Sequence, residues 1–508
     1  MQMLNSVKAL IYNPIHGTLT SFYSQLVANK EVLRNLLKNS VWLAVAQGLN
    51  GIANFFIVVY MARVFGPIEY GKFVYAFSLV MLFSILFDFG LTMAVTREFA
   101  RDPLQEKYFQ SLFFLKFLIG IFAVVLVFGV SCFITHDLAG RQMIMMLGLY
   151  QLFFQSLNLF YAVFRARQRM EFEAIIRLIQ IVSLIACIVF MSYFKHSVLA
   201  VSVAYAFSSF SVLLITLIFF SVLSSQALLQ FKFKINFVVC KQFLLVGLYL
   251  ALSQGVGDIM INTDSFLLGY WGMLEGAGLY YAVSKINAMV LFLMSIISAA
   301  LFPILVKALV VSQQEFLRLW ATWMRHTVFF AVMIAFLIIA CSQDIIKILY
   351  TAKYMQASIT LKILMVMAII AYINNLYFQA LLIFNQQKIL LYAIVCGSVL
   401  NVILNIFLIP KLGIEGSAIA TVMGQFANGL YLFIASKKTC INSLHKNFLS
   451  TLSLAIIAGI VMWLAVSISQ LPLFISALGG ALLYSTAYFL LKNGVWQVMR
   501  RGISYASR

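Results

Sequence analysis

The chain has 508 residues, 63% of them hydrophobic and 10% charged, and a formal net charge of +20. Soluble domains carry about 25% charged residues, so this composition excludes a water-soluble monomer and indicates a membrane protein. The basic excess invites a nucleic-acid reading, but no aromatic-basic groove accompanies it and no nucleic-acid partner is expected.

Residues 1–39 read as a cytoplasmic leader. They lack the short apolar core and small-residue cleavage site of a signal peptide. Leu19, Phe22, Tyr23, Leu26, Val27, Leu33, Leu36 and Leu37 recur at helical spacing around Lys30 and Arg34. That pattern suits an interfacial helix on the cytoplasmic leaflet, or equally a solvated leader that extends the first span. Apolar runs of about 20 residues follow, the length that crosses about 30 Å of hydrocarbon at 1.5 Å per residue. About fourteen spans are expected, near 40–63, 72–94, 111–134, 143–164, 175–194, 198–222, 242–270, 278–305, 324–341, 358–384, 388–409, 413–436, 448–468 and 471–491. In a bilayer every backbone polar group is satisfied within the chain, so these runs are helices. The alternating strands of a membrane barrel are not visible. The expected fold is all-α and polytopic.

The 35 Lys and Arg residues alternate by loop. With a cytoplasmic N-terminus, the inside holds Arg97, Arg101 and Lys107, then Arg165, Arg167, Arg169 and Arg177, and further clusters after them; the outside loops are sparse. This is the positive-inside bias, and it puts both termini in the cytoplasm.

Two stretches repeat. Leu43–Ile52 reads LAVAQGLNGI and Leu250–Ile259 reads LALSQGVGDI, sharing Leu, Ala, Gln, Gly and Ile. Each copy is followed by a matching loop, FGPIEYGKFVYAFS from Phe65 and WGMLEGAGLYYAVS from Trp271. An even number of crossings separates the copies, so they run in the same direction as parallel repeats about an axis along the membrane normal. The expected organisation is a leader over 1–39, an N-lobe over 40–222 and a C-lobe over 242–436, each of about six helices, then two extra helices and a cytoplasmic tail over 437–508.

The six cysteines include no CxxC pair, and the five histidines lack metal-ligand spacing. No catalytic triad, P-loop or glycine-rich phosphate cradle is visible, so neither an enzyme nor a bound cofactor is expected. Transport by this chain alone would draw on ion gradients, membrane potential or substrate flux.

Four segments together resemble a known family: ARVFGPIEYGKF (Ala62–Phe73), FDFGLTMAVTREFAR (Phe87–Arg101), TDSFLLGYWGMLEGAGLYYAVSKI (Thr263–Ile286) and IPKLGIEGSAIAT (Ile409–Thr421). In this order they are similar to the polysaccharide-biosynthesis flippases, the Wzx-type branch of the multidrug/oligosaccharidyl-lipid/polysaccharide exporter superfamily, over about residues 38–440. The resemblance implies translocation of undecaprenyl-diphosphate-linked oligosaccharide, an O-antigen or other surface-polysaccharide repeat unit, across the bacterial inner membrane by alternating access. It implies membrane lipids as surroundings, and a polymerase and chain-length machinery as partners. A peptidoglycan-precursor flippase and a drug/cation antiporter of the same superfamily are the alternatives.

Under that resemblance, charged and polar groups within spans become candidates, because a charge near mid-membrane costs about 2.5–3.5 kcal/mol on insertion scales. Gln47, Asn50 and Asn54 share one face of the first span, and Gln254, Asp258 and Asn262 share one face of the seventh. They are assigned to a cleft where they would hold sugar hydroxyls; helix–helix contact is the other use of such stripes. Asp258, the deepest acid, is the candidate for coupling to a proton or Na⁺. Lys116, about two turns inside the third span, would bind diphosphate or else snorkel to the cytoplasmic face. Asp264 and Lys285 lie at similar depth on consecutive antiparallel spans and are expected to form an ion pair, gating or static. Asp88 is expected to pair with Arg97 or Arg101 as a cytoplasmic gate, or else to be a solvated helix end. Arg63 closes the first span as a periplasmic anchor.

Overall fold

The computed structural model describes residues 30–135, 137–223, 236–438, 448–468, 472 and 475–490. Among them all regular structure is helical. The first helices are α1 (Lys30–Leu82), α2 (Ser84–Asp88), α3 (Leu91–Arg101), α4 (Phe109–Ile134) and α5 (Leu138–Ala166). Then come α6 (Met170–Phe194), α7 (Val198–Leu223), α8 (Phe237–Tyr270), α9 (Leu274–Val311) and α10 (Gln313–Ala340). The last are α11 (Ser342–Tyr350), α12 (Ser358–Ile383), α13 (Gln387–Lys438), α14 (Phe448–Ile468) and α15 (Ile475–Leu490). Ten helical stretches among the described residues are long and apolar enough to cross a membrane, against about fourteen spans read from the sequence. Two of them, Val45–Leu82 and Gln387–Lys437, run through glycine breaks, and Phe237–Leu248 and Ile475–Leu490 are apolar but shorter. Most of the leader lies outside the described residues, as do 224–235, 439–447 and 491–508.

Glycine and proline set the breaks. Gly66 stands at φ 73° and ψ 174° inside α1, followed by Pro67, and Gly413 stands at φ 59° inside α13. Proline supplies no N–H to a helix, and glycine alone takes such backbone angles without a Cβ clash. The matching turn after α8 is a Schellman cap. Gly272 at φ 77° donates to the Gly269 carbonyl at 3.0 Å, and Met273 donates to Leu268 at 2.9 Å. The same cap closes α5 with a non-glycine residue: Gln168, at φ 55°, donates to Arg165, and Arg169 donates to Phe164.

The described contacts divide the chain into two compact units. The first holds Met1–Ile57, Ala76–Asn262 and Leu309–Gln313; the second holds Val58–Tyr75, Thr263–Ala308 and Gln314–Arg508. Both copies of the decapeptide belong to the first unit, and each repeat helix passes into the second a few residues later.

The core of the first unit is aromatic. Phe109 packs edge-on against Phe160, with ring centroids 5.2 Å apart, and against Phe220 at 5.4 Å; Phe99 meets Phe243. These ring contacts are held by shape and dispersion. The second unit uses tyrosine. Tyr350, Tyr354 and Tyr372 are buried, and their hydroxyls donate to the backbone carbonyls of Ala282 at 2.9 Å, Ala62 at 3.1 Å and Val290 at 2.6 Å. Trp320 donates to the Leu376 carbonyl. Each ring fills the core while its polar tip finds the partner that burial demands. Arg63 completes the pattern. Its guanidinium donates to the carbonyls of Leu349, at 2.7 Å, and Ile348, so it caps the C-terminal end of α11. A cation at a helix C-terminus meets orphan carbonyls and the negative end of the dipole.

Within the second unit the two repeat loops cross backbone to backbone. A Cβ on Gly71 would lie 1.8 Å from the Leu274 carbonyl oxygen, and one on Gly278 would lie 2.2 Å from that of Pro67. The pairs Pro67/Leu274 and Gly71/Gly278 stand at the same spacing as Leu43/Leu250, so the contact is reciprocal between copies. In the first unit, Gly90 at φ 69° lies as close to the backbone of Gly247.

Gly71→Ala or Gly278→Ala is expected to lower stability by about 1–3 kcal/mol or more, since backbone rather than a flexible side chain must move. Gly66→Ala, where a Cβ meets open space, carries only the backbone strain of φ 73° and ψ 174°, about 1–3 kcal/mol in a region left to glycine, and should be the mildest of the three. Thermal unfolding of the three variants in one detergent checks the order.

Candidate functional site

The polar groups of the first unit converge where α2 ends. Phe89 at φ 50° and Gly90 at φ 69° interrupt the helix, so α2 stops at Asp88 and α3 starts at Leu91. The break turns the Asp88 carboxylate toward α4. There it accepts hydrogen bonds from the Lys116 ammonium and the Thr92 hydroxyl, and Lys116 also donates to Thr92 Oγ1 at 2.7 Å. Lys116 is 1% exposed. The ammonium does not snorkel to the surface: it is buried, and its charge is matched by Asp88.

The expected Asp88–Arg97 gate is therefore replaced by an Asp88–Lys116 pair. The reason is local. Two left-handed residues after Asp88 end its helix, while Arg97 lies on α3 with its side chain 64% exposed and its Nε 3.6 Å from Glu98. Arg101 is exposed at the end of the same helix.

Beside this pair, α5 and α6 bring together Arg165 and Arg177, which the sequence marks only as basic loop charges, and Glu173, which it does not single out. Glu173 is fully buried. It accepts from Arg165 Nε at 2.8 Å and Nη2 at 2.6 Å, and from Arg177 Nε at 2.9 Å. The Arg177 guanidinium also lies over the Tyr161 ring, 4.6 Å from its centroid. A cavity of about 200 Å³ opens onto these groups, lined by Asp88, Thr92, Gln155, Asn158, Arg165 and Arg177 among others. At the nearby loop Arg167 grips Glu106, with Nε–Oε1 at 3.0 Å, and this partner raises the guanidinium pKa further above its ordinary value.

The second unit holds a different arrangement. Asp264 is 3% exposed and accepts from the Tyr280 hydroxyl at 2.5 Å, the Asn405 amide at 2.5 Å and the Thr421 hydroxyl at 2.9 Å. Asn405 also donates to Asn401 Oδ1, and its own Oδ1 is buried without a hydrogen-bond partner. The expected Asp264–Lys285 ion pair is not formed; Lys285 lies over the Tyr281 ring at 4.3 Å. Depth matched but azimuth did not. Lys285 is five residues beyond Tyr280, about 140° around a helix of 3.6 residues per turn from the face that meets Asp264. The carboxylate is thus enclosed by neutral donors, with an orphan oxygen beside it. The acceptors here are the carboxylate oxygens and Asn405 Oδ1, oxygens of the kind that a proton or a hard cation such as Na⁺ takes.

On the first helix, Gln47 and Asn54 are exposed, and Asn50 is half-buried. Asn54 donates to Asn50 Oδ1 at 3.0 Å and to its carbonyl at 2.8 Å, so part of this stripe serves its own helix. Asn262 is half-buried and engaged with a neighbour. The side chains of Gln254 and Asp258 lie outside the described residues.

Breaking the buried Asp88–Lys116 pair by Asp88→Asn alone is expected to cost about 3–5 kcal/mol, because an ammonium is left uncompensated. Asp88→Leu combined with Lys116→Met should recover most of that loss. A double-mutant cycle on unfolding free energy checks the coupling.

Comparison with known proteins places this geometry. Residues 36–309 match the family described as polysaccharide biosynthesis protein. The chain is 22% identical over 462 residues, 90% of its length, to the probable low-salt glycan biosynthesis flippase Agl15 of Haloferax volcanii, of which the match covers 96%. A shorter match, 39% identical over 82 residues, links it to an uncharacterized membrane protein of Methanocaldococcus jannaschii and spans only 16% of that protein. Among solved structures, the lipid II flippase MurJ in an inward closed conformation superposes with a TM-score of 0.73 at 16% identity, over 90% of this chain and 99% of that one. An inward-facing multidrug resistance MATE family transporter of the MOP superfamily gives 0.62 at 12% identity, over 80% and 99%. The match to the family takes in more than half of the sequence, and the fold agrees with it: this multi-pass membrane protein belongs to the polysaccharide biosynthesis protein family and has the fold of the MOP superfamily.

Proposed function

We propose that the protein is a flippase that carries a lipid-linked oligosaccharide from one leaflet to the other by alternating access of its two repeat lobes, 40–222 and 242–436. The observation that carries this reading is the charged cavity of the first unit, set among helices whose outer faces are apolar and exposed. A glycan headgroup cannot cross hydrocarbon alone, because its hydroxyls and phosphates would lose their hydrogen bonds to water. Polar groups held inside a bundle replace that water. The near full-length likeness to a glycan biosynthesis flippase supports the substrate class.

In its most specific form the substrate is an undecaprenyl-diphosphate-linked repeat unit of a surface polysaccharide, such as O-antigen. The setting is then a bacterial inner membrane with both termini cytoplasmic, and a polymerase with its chain-length machinery takes the product. The stripes of Gln47, Asn50 and Asn54, and of Gln254, Asp258 and Asn262, are proposed to contact the sugars. Peptidoglycan-precursor and drug/cation readings have only fold likeness behind them, at 16% and 12% identity.

The coupling step is proposed to involve Asp264 alongside Asp258. An ionised carboxylate closed in by neutral partners is unfavourable unless a proton or cation joins it. The carboxylate with the orphan Asn405 Oδ1 supplies the site.

In proteoliposomes with a fluorescent lipid-linked oligosaccharide, the intact protein should move label between leaflets and respond to an imposed H⁺ or Na⁺ gradient. Asp264→Asn should remove the gradient response and slow transfer roughly tenfold, the scale of a lost charged contact. Full rate and full gradient response in that variant would count against the coupling role. Failure to restore surface glycan in any flippase-null strain with a defined repeat unit would count against the function.

A further inference from the structure

Two arginines in the first unit share one carboxylate. Arg165, in the last turn of α5, gives Glu173 a parallel two-point contact, and Arg177, one turn along α6 from Glu173, adds a third bond. Glu173 has no exposure, while the arginine side chains keep 30% and 14% of theirs, and both line the cavity. The charges do not cancel: two cations face one anion. Asp88 and Lys116 neutralise each other, so they leave that excess standing. Glu171, the other acid at the start of α6, lies 3.8 Å from Lys38. Thr92, Gln155 and Asn158 add neutral hydrogen-bonding groups to the same wall.

A guanidinium fork fits a carboxylate and a phosphate by the same two-point geometry. A phosphate brings more negative charge and more acceptor oxygens than the carboxylate. Arg177 stays oriented without Glu173 because its guanidinium also rests on the Tyr161 ring. The cavity, about 200 Å³, has room for a phosphate or diphosphate group.

We propose that Arg165 and Arg177 form a phosphate-binding site, that Glu173 fills it as an internal stand-in anion, and that a lipid-borne phosphate takes the place of that carboxylate. The inference deepens the flippase reading and rests on it for the source of the phosphate. Under that reading the site recognises the link between lipid and sugar and is indifferent to which sugar follows. The carboxylate keeps the two forks aligned between substrates and returns when the phosphate leaves.

The test uses the full-length protein in nanodiscs, with inorganic diphosphate, geranylgeranyl diphosphate and geranylgeraniol as probes. Both diphosphates should bind and the alcohol should not. Arg165→Gln and Arg177→Gln should each weaken diphosphate binding roughly tenfold, and Glu173→Gln, which removes the competing anion but keeps its shape, should tighten it by a similar factor. If Glu173→Gln fails to fold, Arg165→Gln carries the test, since Glu173 then keeps Arg177 as partner. Nanodiscs with and without phosphatidylglycerol separate the sources. Competition by that lipid assigns the site to bulk headgroups, and its absence assigns it to the isoprenoid diphosphate; either supports a phosphate site. Wild-type diphosphate affinity in both arginine variants, with unchanged melting temperature, would overturn it. Arginine-dependent diphosphate binding without glycan translocation would keep the site and remove the flippase reading. Glycan translocation with arginine-independent diphosphate binding would do the reverse.

Discussion

Hydrocarbon offers no hydrogen bonds, and most of this molecule is built around that lack. Where a helix must break, the chain supplies the partner itself. Arg63 caps the carbonyls at the end of α11, and Tyr354 reaches the Ala62 carbonyl just before the Gly66–Pro67 break. Buried tyrosines do the same across the second unit, each with an apolar ring inward and a hydroxyl on a backbone oxygen. Helix ends and kinks are therefore fixed points rather than soft ones, and they set where the functional side chains stand.

The same constraint explains why the two units handle charge differently. In the first, every buried charge described has an opposite beside it: Lys116 with Asp88, Glu173 with Arg165 and Arg177. In the second, Asp264 has only neutral donors around it. A paired charge is stable by itself, and an unpaired one asks for a mobile partner. The two proposals follow this division: exchange of one anion for another in the first unit, and uptake of a small cation in the second.

The helices and the duplication were plain in the sequence, because apolar runs of bilayer length and a repeated decapeptide are linear patterns. The pairings were not. Asp264 and Lys285 were matched by depth, which a linear count gives, but Lys285 stands on a different face of its helix from the Tyr280 that meets Asp264, which it does not. Asp88 was expected to meet Arg97 or Arg101, and the left-handed pair Phe89–Gly90 sends it to Lys116 instead. Glu173 went unremarked among basic neighbours that served the topology argument. An acid eight residues from one arginine and four from another, next to a turn that Gln168 closes in the left-handed region, was the signal available. The side chains of Gln254 and Asp258, which share a stripe with Asn262, lie outside the described residues.

The reciprocal crossing of Gly71 on Leu274 and Gly278 on Pro67 has a historical side. After a gene duplicates in tandem, its copies are ordinarily free to diverge, each under its own selection. Here each copy leans its glycine on the other's carbonyl, so a larger side chain in either one disturbs both. The two loops must drift together or not at all. That shared restraint ties the two loops together at this crossing, whatever changes elsewhere in the copies.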